Sequence, residues 1–240
     1  MAELRIPTLI PGFDELVDGG IPIGSLILLA GNTGAGKTLF SSHMINSSSE
    51  NSKSLYCGFF ESKEDIIKNA NNFGFNFSKF IDDGKLVISE FFPILEEGIT
   101  TIISEIEAEI EKVQPSLLVI DSISTLAGDL KNIQEMRIFL KMIHSITKSK
   151  NITVILISEL PLNSKKMGLG VEEFIADGII IMKYAQIREK IRRCLAVLKM
   201  RNTHHSMDIW EFEIGSNGIK LKPALEKDDM LLISNNMQFT

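Results

Sequence analysis

The stretch Gly31 to Thr38 brings together residue types that can hold a phosphate. It reads GNTGAGKT and fits the pattern G-x-x-x-x-G-K-[ST]. Its three glycines let the backbone wrap closely around phosphate, so that successive N–H groups point inward. Lys37 supplies a mobile cation for the β- and γ-phosphates, and Thr38 offers a hydroxyl to Mg²⁺. The predicted nucleotide-binding residues are Gly31, Asn32, Thr33, Gly34, Ala35, Gly36, Lys37, Thr38 and Leu39, and Lys37 is also a predicted catalytic residue.

The residues on either side of this loop are those that a phosphate-binding loop needs. Before it, SLILLA (Ser25 to Ala30) is an apolar run of strand length, and after it LFSSHMI (Leu39 to Ile45) contains no helix breaker. A helix that starts at the loop turns its positive end toward the anion. A chance glycine-rich turn is the alternative, and the strand, loop and helix context makes it much the weaker one.

A second apolar run ends in an acid. LLVIDS (Leu117 to Ser122) has the pattern of a buried parallel strand, with Asp121 at its carboxyl end. Ligands bind at that end of the strands in open α/β sheets. Because many strands end in Asp, the residue alone would indicate little. Together with the loop, Asp121 is predicted to hold the hydration shell of Mg²⁺, with Thr38 as the other metal-binding residue.

The composition is typical of a globular protein. The 240 residues are 44% hydrophobic and 23% charged, which suits one domain over residues 1–240. We find no signal peptide and no apolar stretch of the ~18 residues that a membrane span needs, so we expect a soluble, cytoplasmic protein without membrane insertion. Cys57 and Cys194 lack disulfide or metal-binding spacing and are predicted core residues, and the adjacent His204 and His205 lack ligand partners.

Charge is unevenly distributed along the chain. The net charge of −6 argues against a protein coated for nucleic acid. Seven basic residues nonetheless occur from Lys183 to Arg201, against the single acid Glu189. A solvated face and a functional cluster are equally good interpretations of that stretch. The glutamates at alternate positions from Glu105 to Glu111 are expected to form a solvated face.

Strand and helix patterns alternate before residue 178. This alternation predicts an α/β fold with a mainly parallel central sheet covered by helices on both faces. After residue 178, three apolar runs with short polar links, GIIIMKY, RRCLAVLKM and DIWEFEI, predict antiparallel C-terminal strands. The predicted strands are 25–30, 54–60, 85–90, 117–121 and 152–158, the predicted helices are 37–48, 63–73, 98–113 and 132–149, and a loop is predicted at 160–172.

Several stretches together resemble a known family. The opening IPGFDELVDGGIPIGSLILLAGNTGAGKT (10–38) is similar to the start of a KaiC-type domain of the RecA superfamily. Further matches, in the family's order, are GFFESKEDI (58–66), LLVIDSISTL (117–126), GVEEFIADGIII (170–181) and LKMRNTHHSMDIWEFEIGSNGIKL (198–221). The chain resembles the single-domain KaiC-like proteins common in archaea, sometimes described as RadA paralogues. The resemblance implies a RecA-like three-layer P-loop NTPase that uses ATP and Mg²⁺.

The resemblance assigns a water-activating role to one glutamate. RecA-type ATPases place a glutamate after the second strand to orient the attacking water, and KaiC domains usually show a pair there. Here Phe60 stands at the first position and only Glu61 remains. A carboxylate near the γ-phosphate can polarise water, so Glu61 is the candidate general base. Hydrolysis should be slow if the missing glutamate is the one that acts, and a helix-start carboxylate is the alternative role of Glu61.

The same resemblance implies that cations of a late strand act on a neighbouring subunit. KaiC-like domains carry a K-x-R motif that reaches the γ-phosphate of the next subunit, followed by a nucleotide-contacting histidine. These residues stand here as Lys199, Arg201 and His205. Alternating residues of a strand share a face, so Lys199 and Arg201 should point the same way and neutralise charge that develops in phosphoryl transfer. A site completed by a neighbour implies a homo-oligomer, either a hexameric ring or a filament.

Two functions fit these patterns. The first is an ATP-hydrolysing RecA-like motor or assembly factor in DNA recombination or repair. Its loops for single-stranded DNA would be 122–132 and 159–172, whose Lys131, Lys165 and Lys166 give thin support because tight binding uses a basic groove with aromatic platforms. The second is a nucleotide-sensing module that hydrolyses little and docks a partner protein, similar in kind to the archaeal motility protein FlaH. The loss of a glutamate at Phe60 favours this alternative.

Overall fold

The apolar runs of the sequence become strands, and the amphipathic segments between them become helices. The computed structural model describes residues 4–91, 98–125, 133–160, 172–187 and 190–224. Its strands are β1 (Arg5–Ile6), β2 (Ile21–Pro22), β3 (Leu26–Asn32), β4 (Ser54–Gly58), β5 (Leu86–Glu90), β6 (Leu117–Asp121), β7 (Thr153–Leu160), β8 (Gly178–Ile187), β9 (Lys190–Met200), β10 (Trp210–Gly215) and β11 (Gly218–Ala224). Its helices are a 3₁₀ turn (Asp14–Val17), α1 (Lys37–Asn51), α2 (Lys63–Asn72), α3 (Phe77–Asp82), α4 (Gly98–Val113), α5 (Ile133–Lys150) and α6 (Glu172–Ile175).

Nine strands form one sheet in the order β11-β10-β9-β8-β3-β7-β6-β4-β5. Neighbours from β8 to β5 run parallel, and β8, β9, β10 and β11 are joined antiparallel. The predicted parallel sheet with antiparallel C-terminal strands is therefore confirmed. We call the edge where β3 ends at Asn32 the carboxyl edge, and the edge where it begins at Leu26 the amino edge.

The central strands supply two cores because successive side chains point to opposite faces. Ile27 and Leu29 pack on the face that α1, α2 and α3 cover, where Phe40 is fully buried. Leu28 and Ala30 pack on the other face, against α4 and α5. The sheet is thus the middle of three layers.

Helix α4 shows how the sequence pattern sets one of these faces. Its buried residues recur every three or four positions, at Ile99, Ile103, Ile106, Ile110 and Val113, which is the spacing of one helix face. The glutamates between them lie outside this stripe. Their predicted exposure is confirmed for Glu105 and Glu111, whereas Glu107 and Glu109 are partly buried. Glu109 accepts a hydrogen bond from Ser89 at 2.9 Å.

Most predicted elements are confirmed to within three residues, although the helix predicted at 37–48 continues to Asn51. The predicted strand 54–60 ends at Gly58, because the chain bends there and Phe59 stacks on Phe91 with ring centroids 5.3 Å apart. The 3₁₀ turn, α3, α6, β11 and the pair β1–β2 were not predicted. All of them except the seven-residue β11 are too short to carry a periodicity. The buried positions predicted for Cys57 and Cys194 are confirmed.

Two further findings concern the predictions of partners and location. Among the described residues, no helix is long and apolar enough to cross a membrane. Most of the predicted loop 160–172 and most of the candidate DNA loops, including Lys131, Lys165 and Lys166, lie outside the described residues, while Leu160 ends β7 and Glu172 begins α6.

Candidate functional site

The predicted phosphate loop joins β3 to α1 at the carboxyl edge. Gly34 and Gly36 have φ of 75° and 108°, a left-handed conformation that side chains rarely adopt. Gly36 is also the residue that caps the start of α1, and the amide of Phe40 donates to its carbonyl at 2.9 Å. The loop therefore has the backbone shape that directs amides and a helix N-terminus toward an anion.

Gly31 is required for a different reason from the one the motif suggests. It lies in β3 beside β8, where an added Cβ would be 2.1 Å from the carbonyl oxygen of Met182. The glycine thus permits two backbones to approach rather than wrapping around the phosphate. Its position fixes the point at which the loop leaves the sheet.

Lys37 is buried at the base of the loop. Its Nζ donates to the carbonyls of Gly31 at 3.0 Å and Asn32 at 2.9 Å, and it lies 4.0 Å from a carboxylate oxygen of Glu159. Burial lowers the pKa of Lys37, and the charges of Glu159 and Asp121 oppose that lowering. These two hydrogen bonds hold the Lys37 cation at the phosphate loop.

Thr38 and Asp121 meet as the sequence predicts. The hydroxyl of Thr38 donates to Oδ2 of Asp121 at 2.7 Å, and the hydroxyl of Tyr56 donates to the same oxygen at 2.8 Å. Burial raises the pKa of Asp121, although these hydrogen bonds and the charge of Lys37 act in the opposite direction. One hydroxyl and one carboxylate fit Mg²⁺, which keeps several waters and takes its other ligands from substrate phosphates.

Asn32 contributes its backbone to the site rather than its side chain. Its buried amide group donates to the carbonyl of Leu160 at 3.2 Å and accepts from the amide of Tyr184 at 3.1 Å. The side chain thereby links β3 to β7 and β8 just below the loop. Only the main-chain atoms of Asn32 are therefore left for the predicted contact with nucleotide.

Glu61 lies in the short connection between β4 and α2. It lines the same cavity as Lys37 and Asp121. Burial raises the pKa of Glu61, and the charges of Asp121 and Asp65 raise it further. The helix-start role belongs to Ser62, whose hydroxyl caps α2 by accepting from the amide of Asp65 at 3.2 Å. Glu61 precedes that cap, so its carboxylate is left for the cavity.

The cavity has a volume of about 350 Å³ and a lining of mixed chemistry. Its polar lining includes the phosphate loop, Asp121, Glu61 and Glu159. Its apolar lining consists of Leu39, Ile66, Ala70, Phe73 and Ile214. A ligand with charged groups and a flat apolar ring matches this mixture.

Lys199 and Arg201 lie far from this cavity. β9 runs toward the amino edge, where its last residue, Met200, pairs with Gly178. There the amide of Arg201 donates to the carbonyl of Asp177 at 2.9 Å, and Asp177 bonds both main-chain groups of Leu26. β3 has seven residues, so its two ends are separated by about 20 Å at ~3.3 Å per residue. That distance exceeds the reach of any side chain.

Both cations contact residues 176–177, just before β8, while their common direction along a strand stays a prediction. Lys199 donates to the carbonyl of Ala176 at 2.7 Å, and the guanidinium of Arg201 lies 3.3 Å from Asp177. Burial lowers the pKa of Lys199, and the charge of Arg201 lowers it further. Arg201 itself falls one residue beyond the end of β9.

Asp177 gathers several partners at this edge. Its carboxylate also lies 2.7 Å from Lys148 and 3.9 Å from His144. Burial alone would raise the pKa of Asp177, but the hydrogen bonds from Lys148 and the Leu26 amide, with the charges of Lys148 and His144, lower it overall. His205 follows in the next loop, where its Nδ1 lies 3.1 Å from the carbonyl oxygen of Ser206.

Comparison with known proteins decides the family. A family model described as the KaiC ATPase matches residues 6–226. The chain belongs to the KaiC family of ATPases. A solved KaiC-like protein from the hyperthermophilic archaeon Pyrococcus horikoshii is 33% identical, with a TM-score of 0.83 over 92% of this chain and 100% of that one. This match confirms the KaiC-like, RecA-type α/β fold with antiparallel C-terminal strands.

The circadian clock oscillator proteins KaiC are further relatives. Those of Nostoc sp. and Synechococcus elongatus are each 31% identical to this KaiC-family chain, over 91% and 92% of its length. These matches cover 44% and 45% of the two relatives. The chain therefore spans about half the length of the curated relatives that it matches.

Sequence patterns missed three residues that lie next to predicted site residues in the KaiC fold. Glu159 is an acid at the end of the apolar strand β7, and the reasoning that found Asp121 on β6 could have found it. Tyr56 lies within β4, where nothing in the sequence indicates a partner. Asp177 follows the short α6, and only the pairing of β8 with β3 brings it to Leu26.

Proposed function

We propose that the protein binds ATP with Mg²⁺ in this cavity and hydrolyses it. The observation that carries the proposal is the meeting of Lys37, Thr38 and Asp121 beside the phosphate loop, with the two oxygens 2.7 Å apart. A cation for the phosphates and two oxygens for a hydrated metal are the groups that phosphoryl transfer uses. Bound Mg²⁺ would neutralise charge on the β- and γ-phosphates. Membership of an ATPase family supports the same chemistry.

The lining of the cavity suggests how the nucleotide lies. Its phosphates would occupy the phosphate loop, on the amides of Gly34 to Thr38 at the start of α1. The adenine would lie against the apolar lining, which includes Ile66, Ala70 and Phe73 at and just after α2. Apolar contacts of this kind hold a flat ring without reading its edges, so ATP rests on the family rather than on base-reading residues.

Glu61 is the proposed general base. Its carboxylate would take a proton from water as the water oxygen bonds to the γ-phosphorus and the bond to the bridging oxygen breaks, releasing ADP. The raised pKa of Glu61 makes it a stronger base. The neighbouring Phe60 cannot accept a proton, and its side chain is 88% exposed beside the site. With one carboxylate where the family usually has two, we expect slow turnover.

The remaining cations would come from a neighbouring subunit. Arg201 and Lys199 lie about 20 Å from their own phosphate loop, by the length of β3 at ~3.3 Å per residue. They lie at the amino edge of the sheet. A second copy that packed its carboxyl edge there would place its nucleotide beside them. A nucleotide between the two copies would then stabilise a ring or a filament by mass action. The ring that the resemblance to KaiC-type domains implies makes a hexamer the first geometry to test.

Calorimetry tests the nucleotide site. Titration with ATP and Mg²⁺ should show binding by the wild-type protein and none, or nearly none, by Lys37→Ala. Lys53→Ala removes an exposed lysine outside the cavity and should bind as the wild type does. Equal affinity of Lys37→Ala and wild type would end the assignment of the loop.

Mixing variants tests action between subunits. Arg201→Ala alone should lower hydrolysis and ATP-dependent assembly, as measured by turnover and native mass spectrometry. In mixtures with Lys37→Ala, some interfaces pair an intact phosphate loop with an intact Arg201, so activity should partly recover. Lack of recovery in mixtures that co-assemble would mean that the cations do not act across the interface.

A nucleotide-sensing module that hydrolyses little and docks a partner protein is the second candidate. Phe60 favours it, since this exposed aromatic replaces a glutamate beside the site. Tight ATP binding with turnover that single-stranded DNA leaves unchanged would support this function. Turnover that rises with single-stranded DNA would support the motor in recombination or repair instead.

A further inference from the structure

The loop that follows β9 is tied to the N-terminal segment of the chain. We call residues 202–206 the finger loop, because Arg201 immediately precedes it and His205 lies within it. It has no regular secondary structure, and Asn202 is left-handed with φ of 56°. An irregular loop of this kind takes its shape from the hydrogen bonds made to it, and here several of those bonds come from residues 5–21, which we call the N-terminal segment.

Arg5 makes the largest set of these bonds. Its Nη1 donates to the carbonyls of Val17 at 3.2 Å and Gly20 at 3.1 Å, within its own segment. The same guanidinium donates to the hydroxyl of Thr203 at 3.1 Å and the carbonyl of Asn202 at 3.2 Å. The planar guanidinium presents these donors in a fixed fork, so it sets the loop at one distance from the N-terminal segment.

The 3₁₀ turn and the residue after it hold the other half of the finger loop. A carboxylate oxygen of Asp18 accepts from the amide of His204 at 2.8 Å. The carbonyl of Leu16 accepts from the amide of Ser206 at 3.0 Å. His205 is thus bracketed on both sides by backbone amides bonded to the N-terminal segment.

The N-terminal segment does not depend on these bonds for its own place. Phe13, Val17 and Ile21 are fully buried, and Phe13 packs edge-on against Phe40 of α1 with ring centroids 5.0 Å apart. The segment is therefore anchored in the core next to the phosphate-loop helix. Removal of the Asp18 acceptor should therefore release the finger loop without releasing the segment, whereas loss of Arg5 also removes its two hydrogen bonds to Val17 and Gly20.

We infer that Arg5 and Asp18 are positioning residues for the trans-acting cations: they hold the finger loop so that Arg201 and His205 face the nucleotide of the neighbouring subunit. This inference rests on the proposed function, in which Arg201 acts across an interface. Neither residue touches the nucleotide of its own subunit, since both act at the far end of the sheet. Their loss should therefore impair the donor side of an interface and spare the phosphate-loop side.

Arg5→Met is the first variant, because methionine keeps an unbranched apolar stem and removes every donor. Its turnover should fall about 10- to 100-fold, the loss expected when a reacting group is misplaced by about 1 Å. ATP affinity at its own phosphate loop should stay within about twofold of wild type, a change under ~0.5 kcal/mol. Glu15→Gln, at an exposed position of the 3₁₀ turn, is the control and should keep the wild-type rate.

Two variants of Asp18 separate positioning from folding. Asp18 is left-handed with φ of 53°, so Asp18→Gly keeps the backbone unstrained and removes only the acceptor. Asp18→Asn keeps both an oxygen acceptor and tolerance of that conformation. Asp18→Gly should therefore lose turnover while Asp18→Asn retains it. This pair decides the question if Arg5→Met does not fold.

Directional mixing is the decisive experiment. Arg5→Met mixed with Lys37→Ala should recover activity, since each variant supplies the side that the other lacks. Arg5→Met mixed with Arg201→Ala should stay inactive, because both defects lie on the same side. If turnover is too slow to measure, ATP-dependent assembly by native mass spectrometry gives the same comparison.

The outcomes separate this inference from the proposed function. A wild-type rate and assembly for Arg201→Ala would overturn the trans role and the inference with it. If Arg201→Ala loses turnover and assembly while Arg5→Met and Asp18→Gly keep the wild-type values, this inference is overturned and the trans role of Arg201 stands. Recovery in the mixture of Arg5→Met with Arg201→Ala would also overturn it, because the two residues would then act on different sides.

Discussion

Lys37 and Arg201 of one chain mark opposite ends of the central sheet. Lys37 donates to the carbonyl of Asn32 at 2.9 Å, where β3 ends, and Arg201 binds Asp177, which bonds Leu26 where β3 begins. The sheet therefore separates the two cations that phosphoryl transfer would bring to one nucleotide. A second copy of the chain is the simplest way to reunite them.

Glu61→Gln should lower ATP turnover and leave ATP binding intact. A general base contributes roughly 10²–10⁴-fold, and the amide cannot accept the proton of the attacking water. The measurement is steady-state hydrolysis beside calorimetry on the same protein. Glu64→Gln, an exposed position in the first turn of α2, is the matched control. Wild-type turnover in Glu61→Gln would move the base to another residue.

Asp121→Asn should raise the Mg²⁺ concentration needed for half-maximal ATP binding by about 10- to 100-fold, the usual loss when a group that holds a bound metal is replaced. The amide oxygen can still accept from Thr38 and Tyr56, so the fold should survive. ATP titrations over a series of Mg²⁺ concentrations check this. Asp82→Asn, on the exposed face of α3, should leave the requirement unchanged. An unchanged requirement in Asp121→Asn would remove Asp121 from the metal site.

Gly31→Ala should destabilise the protein by about 3 kcal/mol or more, at or beyond the upper part of the range for overpacking. The added Cβ would be 2.1 Å from the carbonyl oxygen of Met182, and neither central strand can move aside. Gly215→Ala is the control, because a Cβ there meets nothing within 4 Å. Urea unfolding compares the three proteins. Similar stability of the two variants would contradict the close packing of β3 and β8.

Stability should fall as the pH drops through the acidic range because of His43. Its Nε2 accepts from the amide of Ile219 at 2.9 Å, so the folded protein needs the neutral ring, and burial lowers its pKa to about 4. The contribution of His43 is complete above its unfolded pKa of about 6.5 and is lost as the pH falls toward 4. From pH 7 to pH 5 the loss is about 2 kcal/mol.

The variant His43→Gln tests this assignment, because glutamine can accept from Ile219 and does not titrate. The difference in unfolding free energy between pH 7 and pH 5 should shrink by about 2 kcal/mol in the variant. His204→Gln changes an exposed histidine and should keep the wild-type difference. If both variants behave alike, the pH dependence has another source.

The sequence by itself determined the features that depend only on residues close together in the chain. The phosphate loop, its flanking strand and helix, and the acid at the end of β6 each lie within a short stretch. Their geometry follows from glycine conformation, apolar periodicity and strand length. Ser62 caps α2 through an equally local contact, although the sequence pattern also allowed Glu61 as a carboxylate at the start of that helix.

Only the tertiary structure decided which distant residues meet. Arg5 and Thr203 are 198 positions apart, and Tyr56 reaches Asp121 across 65 positions. Such contacts depend on strand order and direction, which local patterns do not encode. The same order puts Arg201 at the amino edge and Lys37 at the carboxyl edge. Since β9 runs antiparallel to β8, its end must lie away from the phosphate loop, and that direction alone separates the two cations.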